Sequence, residues 1–511
     1  MSRGKHLGPQ ELRTLVYNAI PADAVSELGP PPPVHQFFVP KSHARALNLN
    51  VPVVVGSRGA GKSFWWKALQ YAEHRALVER FASDTRIKAS TRVRPGFGVP
   101  FNMERYPSRD VLNQLLALGR SPREIWKTVM TWAVLDEDPH RPTIDRWPER
   151  VEWLVGHPEE TDRLLETIDH ALMARDEDIL VVFDGIDRTS DDWDIVFRHV
   201  EALLQVALDF RSFRRIRAKV FLRTDQFDDS RIGRFPDASK IMASKVDLRW
   251  LTVELYALLW QLLGNHEVQG PDFRELVFQK VVNKEGLKES LSAPGVWRLP
   301  PATQFDPKVQ ETLFHALTGP FMGEGPRKGF PYTWLPNHLA DAHGEVTPRS
   351  FLIALRTAAQ DSRANHVEHG FALHYRSLHT GVQEAARIRR EEIAEHWWVP
   401  EVLRDLSGQI EVPFDYVESD LLWAAAGTLD KLRVRQQEEI KAGRASGDGD
   451  QPWLLPAHLS EGAAGVREDL VRLGVFRLMR SGRIDVPDVY RLGFGLAKRG
   501  GVPLKRNGEL L

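Results

Sequence analysis

Within VPVVVGSRGAGKS, residues 51–63, Gly56, Gly61, Lys62 and Ser63 stand at GxxxxGK[ST] spacing, between an apolar run and the helix-compatible FWWKAL. That residue set suits the gripping of phosphate. Glycines let main-chain N–H groups close around an anion where a Cβ would obstruct them. A helix that starts at the lysine adds the partial positive charge of its first turn. Lys62 is placed to bridge terminal phosphates, and the Ser63 hydroxyl to ligate Mg²⁺. The expected cradle is Gly56, Ser57, Arg58, Gly59, Ala60, Gly61, Lys62, Ser63 and Phe64. Pro52 falls at the start of the preceding strand, where a missing donor is tolerated.

Two further segments supply chemistry that such a loop needs. In ILVVFDGIDR, residues 179–188, five apolar residues run into an aspartate. The pattern is that of a buried parallel strand delivering a carboxylate to the C-terminal edge of a sheet. Beside the loop, Asp184 becomes the partner of Ser63 in holding Mg²⁺. Asp187 either positions a water molecule or caps the turn that follows. A third strand, Lys219–Leu222, ends in Arg223-Thr224-Asp225. Arg223 is a candidate sensor of a terminal phosphate, or an ordinary surface arginine.

These residues need a scaffold, and the rest of the chain supplies its outline. At 511 residues a prior of about three domains applies. Hydrophobic residues at 42% and charged residues at 27% are ordinary for a globular protein and argue against wholesale disorder. The net charge of −1 excludes a chain that is basic overall, though not a local basic face. With no cysteine, disulfides, thiol catalysis and Cys-ligated zinc are excluded. MSRGKHLGPQELRTL has no apolar signal region, and no run approaches the roughly 18 apolar residues of a membrane span. The expectation is a cytoplasmic protein with no membrane contact.

Residues 1–35 read as an arm with a Pro-rich linker: an amphipathic stretch around Leu12, Leu15, Val16 and Ile20, then Pro30–Pro33. The arm is expected to dock onto, or hang from, what comes next. Residues 36–250 alternate short β-branched runs with amphipathic helices, predicting an α/β core with a parallel sheet. Its strands are expected at Val51–Val55, Ile179–Phe183, Lys219–Leu222 and Lys245–Leu248, with an insertion near 92–165. Helical periodicity dominates afterwards, over 251–360 and over a connector at 361–452 that includes a Gly-rich loop at Lys441–Pro452. A compact tail spans 453–511.

GSRGAGKS, ILVVFDGIDR and KVFLRTD together resemble the AAA+-like P-loop ATPases, especially their STAND, KAP and origin-recognition branches. The resemblance implies ATP and Mg²⁺ as cofactors, a helical lid over 251–360 and a winged helix in the tail. KVDLRWLTVELYALLWQLLGN looks like the passage from nucleotide domain to lid. GEVTPRSFLIALRTA, residues 344–358, looks like the lid helix that carries a second sensor arginine, matching Arg349. Thr347 would cap that helix and Pro348 would open it. Two departures stand out. Gly185 follows Asp184, where the family places a glutamate base, and more than 110 residues separate Lys62 from Asp184.

Other constellations carry less. His366, His369, His374 and His379 do not share one helical face well enough for metal ligation. Trp65-Trp66 and Trp397-Trp398 read as packing, and RIRREE at 387–392 as a solvated helix face with i,i+4 pairs. The tail from 466 to 511 has ten Lys/Arg against five Asp/Glu, and Arg477, Arg480, Arg483, Lys498, Arg499, Lys505 and Arg506 could meet DNA phosphates. Packing against the ATPase core or a protein partner is the rival use, and the chain is expected to have a protein partner or to form a homo-oligomer. The resulting expectation is a slow ATPase acting as a nucleotide-controlled switch in a multiprotein defence or signalling system. Its rivals are a DNA-binding initiator or loader, and a scaffold that keeps nucleotide unhydrolysed. Losing a general base costs typically 10²–10⁴-fold, so turnover by the chain alone should stay below about 10 s⁻¹. Steady-state phosphate release by wild type and Asp187→Ala checks this, and a fast wild type would refute it.

Overall fold

Aliphatic and β-branched runs between amphipathic helices build a five-stranded, all-parallel sheet in the computed structural model. The structure describes residues 7–21, 31, 33–136, 138–190, 193–227, 237–281, 291–293, 296–441, 456, 458–499 and 502–503. The strands are β1 (Val53–Gly56), β2 (Arg92–Phe97), β3 (Ile179–Phe183), β4 (Ile216–Arg223) and β5 (Val246–Asp247). Their spatial order is β2-β3-β4-β1-β5. Strand β4 therefore lies between the loop strand and the aspartate strand, with Gly56 opposite Arg223 and Phe183 opposite Val220. The C-terminal ends of β1, β4 and β3 line one edge, where ligands bind in open α/β sheets.

The period-two alternation of strand side chains assigns the faces. Val53, Val55, Val181 and Phe183 pack into one core, and Val54, Leu180, Val182 and Phe221 into the other. Strand β2 is absent from the sequence-based strand set because RVRPGF carries two arginines, a proline and a glycine. It survives as an edge strand, the position that tolerates proline. The stretch expected as an insertion thus begins with a sheet strand. Its helices, Arg109–Ala117, Pro122–Val134, Trp147–Gly156 and Pro158–Arg175, then cover one sheet face through Ile125, Trp126, Val129, Val151 and Leu165.

The N-terminal arm does not dock on its sequence neighbours. The Pro9–Ala19 helix buries Leu12, Leu15 and Val16 in a helical core with the Thr252–Gly264, Pro307–Thr318, Pro348–Asn365 and Tyr375–Ile393 helices. Arg13 anchors it by donating to the carbonyls of Ala372 (2.8 Å), Phe371 (3.2 Å) and His366 (3.2 Å). The histidine-rich stretch is thereby the arm's seat, and no group of three metal-capable side chains occurs among the described residues. This core runs from Leu255 to Ala386 without a break at 360. Similarly, the tail shares its core with Trp398, Val402, Trp423 and Leu432, so its packing starts well before 453. Within it, 411–412 pairs with 497–498, and 477–478 forms an antiparallel ribbon with 484–485. The loop expected at Lys441–Pro452 lies, beyond Lys441, outside the described residues. No described helix is long and apolar enough to cross a membrane.

One buried lysine ties the strands together. Lys219 on β4 donates to the carbonyls of Ala46 (2.8 Å), Asn48 (3.0 Å) and Val51 (2.7 Å), the segment that leads into β1. Burial pulls its pKa down to about 7, and three carbonyl acceptors are what an ammonium's three donors need. Lys219→Met should take the side-chain donor from all three carbonyls, of which Asn48 alone keeps a main-chain partner in the Val51 N–H, and this costs on the order of 1–3 kcal/mol. Urea unfolding and hydrogen exchange of the β1 and β4 amides check the loss; unchanged protection would contradict it.

Candidate functional site

The loop leaves β1 and re-enters a helix, Lys62–Ala68, in few residues, which forces unusual backbone angles. Gly59 has φ +78° and Gly61 φ +104°, a region that glycine alone enters freely. A Cβ on Gly61 would meet nothing within 4 Å, so the loop faces open space there. Gly56 packs closely instead, since its Cβ would lie 3.3 Å from Leu248 Cβ and from Ala60 Cβ, and a larger residue would push both by a few tenths of an ångström. The Trp250 indole donates to the Ala60 carbonyl at 2.8 Å and pins the loop from the β5 side. The Phe64 ring turns away and stacks on Phe37 at 5.5 Å, so only its main chain is left for the site.

Lys62 is buried and donates to the carbonyls of Gly56 (2.9 Å) and Ser57 (2.8 Å). Burial lowers its pKa to about 8, opposed by the Asp184 carboxylate. Asp184, at the end of β3, is buried too. Burial raises its pKa, against a hydrogen bond from the Ser63 hydroxyl and the charge of Lys62. The structure therefore brings Lys62, Ser63 and Asp184 together although β1 and β3 are not neighbours. Gly185 sits at φ +67°, a conformation in which a glutamate would be strained, so the turn itself favours glycine here.

The Asp187 carboxylate accepts from Gln226 Nε2 at 3.0 Å and lies 3.7 Å from Arg223 Nη1. Arg223 is no ordinary surface residue. It forms a two-point pair with Asp225 (3.1 and 2.8 Å) and reaches Glu395 at 2.8 Å. Burial works against its charge, but Asp225, Asp187 and Glu395 more than offset this and raise its pKa. Arg349 begins the Pro348–Asn365 helix, which Thr347 caps by accepting from the Ser350 N–H at 3.2 Å. A Cβ on Gly59 would come 3.6 Å from Arg349 Cβ, so this helix start abuts the loop. The guanidinium itself pairs with Glu392 at 2.7 Å.

The segment expected as a solvated helix face is the largest revision. Arg387 does pair along the surface with Glu384 and Glu391. Arg389 and Glu392 instead point inward: Arg389 donates to the Arg58 carbonyl at 3.2 Å and to the Tyr490 hydroxyl at 3.0 Å. Glu395 pairs with both Arg58 and Arg223. Trp250, Gln226, Asp225, Arg389, Glu392 and Glu395 were not among the residues chosen from the sequence. One signal was present, the i, i+3 spacing of Arg389 and Glu392 on one side of the Tyr375–Ile393 helix.

No protein-family model matches the chain, and no curated protein matches it. Among solved structures, the Aeropyrum pernix ORC2 protein, in ADPNP–ADP complexes, is similar over 91% of this chain and 93% of its own, at 14% identity and a TM-score of 0.31.

Because the Lys62 ammonium is lost as pH rises through about 8, while an anion against it favours the charged form, anion binding above that pH takes up a proton. Affinity for inorganic pyrophosphate should fall by up to about tenfold per pH unit above that point. Calorimetry in two buffers of different ionisation heat reads the proton uptake directly. Affinity that does not vary with pH would contradict the assignment of Lys62.

Proposed function

We propose that this chain is an AAA+-like P-loop ATPase that binds Mg²⁺-ATP and works as a nucleotide-controlled switch, hydrolysing slowly. The observation that carries this reading is the convergence of a buried lysine, a hydroxyl and a buried carboxylate beneath a left-handed glycine loop that faces open space. The donor set fits the cofactor: an ammonium and loop amides for phosphate oxygens, and one hydroxyl with one carboxylate for Mg²⁺, which is normally held by few protein ligands. Bound Mg²⁺-ATP would supply the metal and the reactive phosphoanhydride. The chain's own residues then have separate tasks. Lys62 and the amides of 56–64 bind and orient phosphate, and Ser63 and Asp184 hold the metal's shell. Asp187, kept in place by Gln226 and Arg223, is the carboxylate available to orient water. Arg223 and Arg349 are given the task of reading the charge of a terminal phosphate.

The helices from 252 to 393 serve as the lid in this reading, and the winged helix begins near 398, where the tail's core begins. Several basic residues of the tail have partners within it, while Arg477, Arg480, Arg483 and Arg499 stay exposed, so duplex contact is kept as the second reading. Arg477 and Lys498 pair with Asp485, Arg483 donates to the Pro413 carbonyl, and Arg499 lies 3.5 Å from Glu411. Lys505 and Arg506 lie outside the described residues.

Equilibrium binding of a fluorescent ATP analogue tests the site. Lys62→Ala should abolish binding, and Asp184→Asn should weaken binding about tenfold or more with Mg²⁺ while changing it little in EDTA. Unchanged affinity in Lys62→Ala would remove the loop from phosphate binding. Equal effects of Asp184→Asn in both conditions would remove the carboxylate from the metal. Nucleotide that copurifies and stays intact would instead favour the scaffold reading.

A further inference from the structure

The C-terminal end of the Tyr375–Ile393 helix and the turn after it place two largely buried carboxylates among four arginines at the glycine loop. Glu392 divides its oxygens between Arg349 (2.7 Å) and Arg389 (3.1 Å), and Glu395 divides its own between Arg223 (2.8 Å) and Arg58. Both side chains are about one-tenth exposed, at 10% and 13%. Three separate elements thus converge on one helix end: the loop through Arg58, β4 through Arg223, and the Pro348–Asn365 helix through Arg349. Burial works against ionising Glu392 and Glu395, but the arginines override it and hold both pKa values below the usual carboxylate range.

To a guanidinium, a carboxylate and a terminal phosphoryl group offer the same thing, paired anionic oxygens in a plane or fork. Arg58, Arg223 and Arg349 are therefore already paired with protein anions. A ligand that also needs them must compete with those anions. Arg223 would keep its two-point bond to Asp225 if Glu395 left it, so exchange does not strand that charge.

We propose that Glu392 and Glu395 set this site's choice between a nucleoside triphosphate and a nucleoside diphosphate, by occupying the arginines that a third phosphoryl group would need. The inference rests on the phosphate-site reading above and deepens it. The diphosphate reaches the loop and Lys62 without disturbing the two glutamates. The triphosphate has to displace them, and its extra group gains the arginines they release. Arg389 shares this helix end and bonds both the Arg58 carbonyl and the Tyr490 hydroxyl, so displacement is transmitted to the tail.

The test compares ATP and ADP dissociation constants for the full chain as wild type, Glu392→Gln, Glu395→Gln and Glu395→Asp. Removing either competing charge should raise ATP affinity about tenfold, a step typical for one charge-assisted hydrogen bond, with ADP affinity changed by less than about threefold. Glu395→Asp keeps the charge and should stay near the wild-type ratio, which separates competition from a packing defect. A thermal melt of each variant identifies any that is misfolded. Folded Gln variants with an unchanged or lower ATP preference would overturn the proposal while the phosphate site stands. Wild type that binds neither nucleotide would overturn the site reading and this inference together.

Discussion

An ammonium or guanidinium taken out of water needs partners, and around residues 56–63 that requirement organises the neighbouring structure. Lys62 satisfies it with two loop carbonyls and the nearby charge of Asp184, which is in turn held by Ser63. Arg58, Arg223, Arg349 and Arg389 satisfy it with Glu392, Glu395, Asp225 and Asp341. Taking away one member of such a set leaves an uncompensated buried charge, so loop, strand end, the Pro348–Asn365 helix and tail are held in one arrangement. The pairs contribute little net stability after desolvation. Their effect is on which arrangement the chain adopts.

The sheet order makes that arrangement possible. Because β4 separates β1 from β3, Arg223 emerges between Lys62 and Asp184, with Gly56 directly opposite it in register. Leu248 and Trp250 close the other side of the loop. Each loop glycine then has its own cause. Gly56 is crowded by the continuation of β5, Gly59 faces the start of the Pro348–Asn365 helix, and Gly61 opens onto space.

Much of the site was readable in the sequence because its signals are local. The GxxxxGK[ST] spacing, the apolar run ending in Asp184 and the Thr347-Pro348 helix start all depend on residues within one turn or one strand. The structure keeps each at its expected element. Strand β2 was not readable, since an edge strand with Pro95 and two arginines lacks the apolar run that marks a buried strand. Residues 387–392 were misread because charge pattern alone does not reveal which side of a helix is buried. Arg387 and Arg389 are two positions apart, yet one lies on the surface and the other reaches Arg58 and Tyr490.

The sequence by itself determined the glycine loop at 56–63, the apolar strand that ends in Asp184 and the α/β character of the first half. Those properties follow from short-range rules of backbone freedom, side-chain period and helix capping. Tertiary structure alone decided the rest. It set the strand order that brings Ser63 to Asp184, the docking of the Pro9–Ala19 helix by Arg13 more than 350 residues away, and the capture of Arg58, Arg223 and Arg349 by Glu392 and Glu395. The physical reason is common to all three. A buried charge or an unpaired carbonyl takes its partner from whatever the fold brings within about 3 Å, and distance along the chain places no limit on where that partner comes from.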